Sequence, residues 1–99
     1  IIDYNRVQLD GMVKDIMNID PCKEKWIAFN WNVIEIDGHD FKQIYQAFKD
    51  TETYKGKPTV IIAHTVKGKG ISYMENDAAW HGLAPDKEQL EKALAELKV

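Results

Sequence analysis

The run Thr59-Val60-Ile61-Ile62-Ala63 constrains this chain more than any other feature. A strand with one face in water alternates apolar and polar residues, and this run does not. It is too short for a helix, and it is bounded by Pro58 before and a polar loop after. Those features suit a central strand of a parallel sheet, buried on both faces. Parallel neighbours need crossover connections, usually helical, so the flanking sequence should alternate between strand and helix.

It does. Ile1–Tyr4 reads as a short buried strand. Residues 5–19 are mixed, with Asp10-Gly11 marking a turn, and whether they hold strand or short helix stays open at this level. Asp20 is expected to N-cap a helix whose first residue is Pro21, where the missing N–H costs nothing. Trp26, Ile27 and Phe29 give that helix apolar surface, and Asn30 suits a left-handed terminator. A strand is expected from Asn32 to Ile36. Asp40 opens the next helix, with Gln43 completing a capping-box-like pair, and Phe41, Ile44, Tyr45 and Phe48 fall on one helical face. Residues 67–83 form a long glycine-containing loop. Asp86 then caps a last helix, Gln89 pairs back, and Leu90, Ala93, Leu94 and Leu97 form its stripe. The order is strand-helix-strand-helix-strand-loop-helix, which implies an α/β fold with a parallel sheet and flanking helices. Ninety-nine residues suit one small domain or a piece of a larger one. The chain opens on Ile1-Ile2, as a chain cut into a buried strand would.

Composition removes several classes. A formal net charge of -3 argues against a general nucleic-acid binder. No apolar run is long enough to span a bilayer. The single cysteine, Cys22, cannot form an internal disulfide and suits a reducing cytoplasm.

In open α/β sheets, ligands sit beyond the carboxyl ends of the strands, which directs attention to four segments. Asn5 follows the first strand, where its side-chain carbonyl, with a nearby backbone carbonyl, can serve a hard cation such as magnesium. The same residue equally suits an ordinary Asn-initiated loop. In Gly38-His39-Asp40, the aspartate is explained as a helix cap, and His39 either faces a ligand or is solvated. In His64-Thr65-Val66-Lys67-Gly68-Lys69-Gly70, two lysines between glycines can approach phosphates, or the segment is a flexible solvated loop. It is not a P-loop, because the required lysine-serine/threonine ending is absent. In Trp80-His81-Gly82, the histidine can donate to a phosphate or sugar oxygen, with Trp80 as its anchor, or it simply packs before a helix cap. His39, His64 and His81 match no zinc spacing.

Taken together and in order, these segments resemble the transketolases. The resemblance is carried by residues 3–11, by Phe29-Asn30-Trp31 running into Ile36-Asp37-Gly38-His39-Asp40, and by Gly56-Lys57-Pro58-Thr59. It continues through Lys67-Gly68-Lys69-Gly70 to Trp80-His81-Gly82-Leu83-Ala84-Pro85. The wording of residues 74–82 looks most like the N-terminal subunit of split prokaryotic transketolases. The resemblance implies a partial thiamine-diphosphate-binding fold, with residues 1–99 as the C-terminal portion of that domain. It implies transfer of a two-carbon ketol unit between sugar phosphates, with thiamine diphosphate and a divalent metal, magnesium or calcium.

Residue by residue, Asn5 matches the side-chain metal ligand and Val7 the position offering a backbone carbonyl to the same metal. His81 matches the histidine that contacts the cofactor diphosphate and lies near the sugar. Both Asn5 and Val7 thus count as cofactor-anchoring residues, and His81 as catalytic and cofactor-binding. Asp40 matches a structural position. Lys67–Gly70 matches a loop that closes near the active site without assigned chemistry.

Two departures are visible. Asn30 stands where the family commonly has glycine, which a left-handed terminator tolerates. The family's Gly-Asp-Gly segment, with its metal-binding aspartate, lies upstream of the matched asparagine. The expected partners are therefore the upstream part of the same domain, the pyrimidine-binding domain or subunit, and sugar phosphates, in a dimer or heterotetramer. By itself the chain is expected to be inactive. Two nearby alternatives are an enzyme like 1-deoxyxylulose-5-phosphate synthase and a non-catalytic α/β assembly subunit. A flavodoxin-like receiver or nucleotide domain is a third.

Overall fold

The computed structural model describes residues 1–98; Val99, the last residue of the span read as one partial domain, lies outside them. In chain order the elements are β1 (Ile2–Tyr4), β2 (Val7–Gln8), β3 (Gly11–Met12), α1 (Val13–Ile16) and α2 (Cys22–Ala28). There follow β4 (Asn32–Asp37), α3 (Phe41–Thr53), β5 (Thr59–His64), a 3-10 turn (Ala78–His81) and α4 (Lys87–Leu97). They fall into two compact units: Ile1–Tyr4 with Ile19–Thr65, and Asn5–Asn18 with residues 66–98.

The first unit is built on the apolar run. β5 is the middle strand of the order β1-β5-β4, parallel to both neighbours. Ile62 lies opposite Ile2 on one side and Glu35 on the other, and His64 lies between Tyr4 and Asp37. Because side chains alternate across a strand, β5 feeds two clusters. Val60 and Ile62 join Tyr4, with Cys22, Trp26, Trp31 and Val33 packed against them. Ile61 joins Ile36 and Ala47, with Ile34, Ile44 and Ala63 around them. One cluster thus draws on α2 and the other on α3. Trp26 and Trp31 meet edge to face at 4.8 Å, which closes the α2 side.

The second unit contains the antiparallel pair β2–β3, with Val7 opposite Met12 and Gln8 opposite Gly11. It also holds α1, the turn-rich residues 66–82 and α4. Here lies the strand and short helix that the sequence left unresolved between residues 5 and 19.

Several expectations hold at residue level. Asn30 is left-handed, with φ 64°. Asp40 caps α3 by accepting from the N–H groups of Lys42 and Gln43. Asp86 and Gln89 form a reciprocal capping box at α4.

Three differ. Asp20 does not cap α2: Pro21 occupies the N-cap without a side-chain bond, and the Asp20 carboxylate instead accepts from the Tyr4 hydroxyl. The tertiary partner wins over the local one. Gln43 is not a reciprocal capping-box partner. Its carbonyl accepts from the Asp37 N–H at 2.9 Å and its amide donates to the Asp40 carboxylate at 3.0 Å, tying α3 to the end of β4. Finally, the buried face of α3 is centred on Ala47, 1% exposed, with Ile44 beside it. Phe41, at 86%, Tyr45 and Phe48 are exposed, so the aromatic stripe is rotated away from the sheet. A small residue at the contact lets the helix backbone approach the strands closely, which a stripe chosen by hydrophobicity alone does not anticipate.

Ile62→Ala should cost about 2–5 kcal/mol, the range for truncating a large buried aliphatic side chain, because Ile62 is 1% exposed. Denaturant unfolding of the intact protein measures it. A loss below about 1 kcal/mol would contradict two-sided burial of β5.

Candidate functional site

The residues that the sequence marks as cofactor and metal anchors, Asn5, Val7 and His81, all lie in the second unit. Asn5 follows β1 directly, and its side-chain Oδ1 accepts the Val7 N–H at 2.9 Å. That bond is an Asx-type turn, closed over Arg6, which takes the left-handed conformation at φ 64°. Val7 is buried at the start of β2. The Val13 N–H donates to the Arg6 carbonyl at 2.9 Å. In an antiparallel ladder, hydrogen-bonded and non-hydrogen-bonded pairs alternate. The next pair, Val7 with Met12, is then of the second kind, and the Val7 carbonyl turns away from β3, as its N–H does.

His81 ends the 3-10 turn that packs against β2. The structure therefore brings the His81 segment beside the Val7 segment, although the two lie near opposite ends of the chain. Asp77 caps the turn through the Ala79 N–H at 2.9 Å. Trp80 is partly buried, while His81 and Gly82 are exposed.

Residues 66–76 are a series of hydrogen-bonded turns. Lys69 N–H reaches the Val66 carbonyl, Met74 N–H the Ile71 carbonyl, and Asn76 N–H the Lys67 carbonyl. Gly68 has φ +73°, and a Cβ there would run into the Met74 carbonyl, so only glycine fits. Lys69 pairs with Glu75 at 3.6 Å, and the same carboxylate accepts from Gly70 N–H at 3.1 Å. Half of the positive charge expected to face phosphates is therefore already matched. The segment is clamped to α4 at Ser72, whose N–H and hydroxyl reach the two oxygens of Glu96 at 2.5 and 2.6 Å. Hydrogen bonds from the Ser72 hydroxyl, and then its N–H, hold the Glu96 carboxyl below the usual carboxylate range.

The other flagged histidines lie in the first unit. His39 is exposed, and its N–H bonds the Asp37 carboxylate at 2.8 Å. Asp40, its neighbour, is engaged as the helix cap, and Gln43 first, then the Lys42 and Gln43 N–H groups, lower its carboxyl pKa. His64 ends β5 and approaches Glu35 Oε1 at 3.0 Å, while Lys23 meets the other Glu35 oxygen at 2.8 Å. Lys23 and then His64 hold the Glu35 carboxyl below its ordinary range. Sequence reasoning missed this trio. The only available signal was Glu35 inside an apolar strand, two residues from where Asp37 ends it. Among the described residues, no group of three His, Cys, Asp or Glu can hold a metal, and no helix is long and apolar enough to cross a membrane.

Comparison with known proteins gives one answer. The family model "Transketolase, thiamine diphosphate binding domain" matches residues 1–98. A subunit of the apulose-4-phosphate transketolase of Phocaeicola vulgatus is 40% identical over 97 residues, covering 98% of this chain and 34% of the relative. The 6-deoxy-6-sulfo-D-fructose transketolase subunit SqwG of Clostridium sp. (strain MSTE9) is 40% identical over 96 residues, covering 97% and 35%. Among solved structures, transketolase from Campylobacter jejuni superposes with a TM-score of 0.85 at 29% identity, covering 97% of this chain and 15% of that one. The chain spans about a third of the length of these two curated relatives.

The Ser72–Glu96 clamp carries a pH signature. A folded-state pKa below the unfolded value of 4.5 means that the clamp stabilises fully above pH 4.5 and is lost as pH falls through the lower folded value. Amide exchange at Ser72, corrected for intrinsic rate, should stay protected down to that point and then accelerate. In Glu96→Gln the step should vanish.

Proposed function

The chain belongs to the family of transketolase thiamine diphosphate-binding domains, and from that premise we propose that it supplies part of the metal–diphosphate anchor and one active-site histidine to a transketolase. In this reading residues 1–99 are the C-terminal portion of the domain. The reaction is transfer of a two-carbon ketol unit between sugar phosphates. The observation that carries the proposal is the second unit itself: Asn5 and Val7 on one turn, with the His81 segment packed against β2.

The donor chemistry fits a hard divalent ion such as magnesium or calcium, which takes carbonyl and carboxylate oxygens. Asn5 Oδ1 and the Val7 carbonyl are two such oxygens. Both ions need about six or more ligands, so the remaining positions fall to the diphosphate, water and groups outside this chain. Thiamine diphosphate, when bound, supplies the carbon–carbon bond chemistry. The residues here do the rest that this chain can do. The Asx turn fixes the Asn5 amide. The buried Val7 side chain holds its carbonyl in place. His81 donates a proton or hydrogen bond to a phosphate or sugar oxygen, a task suited to imidazole near neutral pH. Other domains or subunits complete the site, so the active form is a dimer or heterotetramer. The lone Cys22 suits a cytoplasmic setting.

Two substitutions test the reading in the intact enzyme with all its subunits. Asn5→Ala should weaken metal-dependent binding of thiamine diphosphate by about tenfold or more, since even outer-shell changes cost about 10–100-fold. Calorimetric titration at fixed magnesium reads this, and unchanged binding would remove Asn5 from the anchor. His81→Ala should lower kcat for ketol transfer by about 10²–10⁴-fold, the range for a positioned acid–base group.

A further inference from the structure

A single 3-10 turn is a weak mount for a residue that must meet an oxygen at hydrogen-bond distance, because its hydrogen bonds are poorly aligned and few. The turn that carries His81 is exposed at its C-terminal end, yet it is tethered from behind. Trp80 Nε1–H donates to the Tyr73 carbonyl at 3.0 Å. The two rings pack with centroids 5.3 Å apart and planes tilted by 57°. Tyr73 OH in turn donates to the Gln89 carbonyl at 2.6 Å. Gln89 belongs to the first turn of α4 and is locked there by the capping box with Asp86. A continuous line of contacts therefore runs from the rigid start of α4 through Tyr73 to Trp80, the residue joined to His81 by a peptide bond. Both aromatic side chains are partly buried, and both polar ends are satisfied within the same unit.

We propose that Trp80 and Tyr73 are positioning residues for His81: the staple from α4 holds the 3-10 turn so that the imidazole meets its oxygen in one orientation. Neither residue needs to touch substrate or cofactor. The proposal rests on the reading of His81 given above. Its energetic logic is that a misplacement of about 1 Å at a reacting group can cost about 10²-fold in rate. Removing one hydrogen bond of the staple should therefore appear in kcat and not mainly in binding.

The test is a double-mutant cycle in the intact enzyme with all its subunits. Trp80→Phe keeps a ring and removes the N–H; Tyr73→Phe keeps the ring and removes the hydroxyl. Each should lower kcat by about tenfold, with the KM for sugar phosphate changed less than about twofold. Combined with His81→Ala, neither should lower kcat further, because nothing remains to be positioned. Full non-additivity supports the proposal. Equal fold losses with and without His81 would overturn it and leave Trp80 and Tyr73 as packing residues. So would single variants that lower the unfolding midpoint but not kcat. A His81→Ala enzyme with unaltered kcat and KM would sink the reading of His81 itself, and the positioning role with it.

Discussion

Val60 and Ile62 project from β5 into one apolar cluster, and Ile61, between them, projects into another. Neither face of the strand can meet water, so both must be covered, and its two edges must be paired. The first unit answers those demands. β1 and β4 take the edges, α2 covers one face and α3 the other. Tyr4, Trp26 and Trp31 reach the first cluster; Ile44 and Ala47 reach the second. A parallel strand needs helical crossovers to reach its neighbours, and the same helices provide the cover. The connection and the core are thus one solution.

The second unit is held differently. Among its described residues the buried apolar ones are few, Val7 and Ala93, and its order comes from directional bonds. These include the Asn5–Val7 turn, the turns across residues 66–76, the Ser72–Glu96 clamp and the Tyr73–Trp80 staple. Hydrogen bonds of this kind contribute about 1 kcal/mol each. They set positions more sharply than they add stability, which suits segments that must present named atoms and not merely fill space.

That difference explains what the sequence made legible. Where an element depends on pattern or on a local cap, it could be read: the unbroken run of β5, the left-handed Asn30, the Asp40 cap, the Asp86–Gln89 box. Where a residue has both a local and a distant partner, the local reading failed. Asp20 could have capped α2 and bonds Tyr4 instead; Gln43 could have closed a capping box and bonds Asp37. The α3 stripe failed for a steric reason, since Ala47 permits closer approach than Phe48 would. For the proposed site, the sequence flagged Asn5 and His81 and offered Trp80 as an anchor for His81, but not what holds Trp80 itself. Tyr73 is an ordinary aromatic in sequence, and only its meeting with Trp80 in space ties the two together.

The donor set in this chain has a consequence for how the proposed anchor assembles. Asn5 Oδ1 and the Val7 carbonyl are neutral oxygens, and one of them already accepts a hydrogen bond. Two neutral donors orient a divalent cation but leave its charge uncompensated, and stripping water from such an ion is expensive. The compensation has to come from anionic oxygens, which in the proposed anchor a diphosphate would provide together with a carboxylate from outside this chain. In the proposed anchor, metal and diphosphate would then bind this surface more tightly together than either alone. In that reading the chain's own contribution is geometric: a fixed amide at Asn5, a buried Val7 whose carbonyl turns away from β3, and His81 on a turn held from behind.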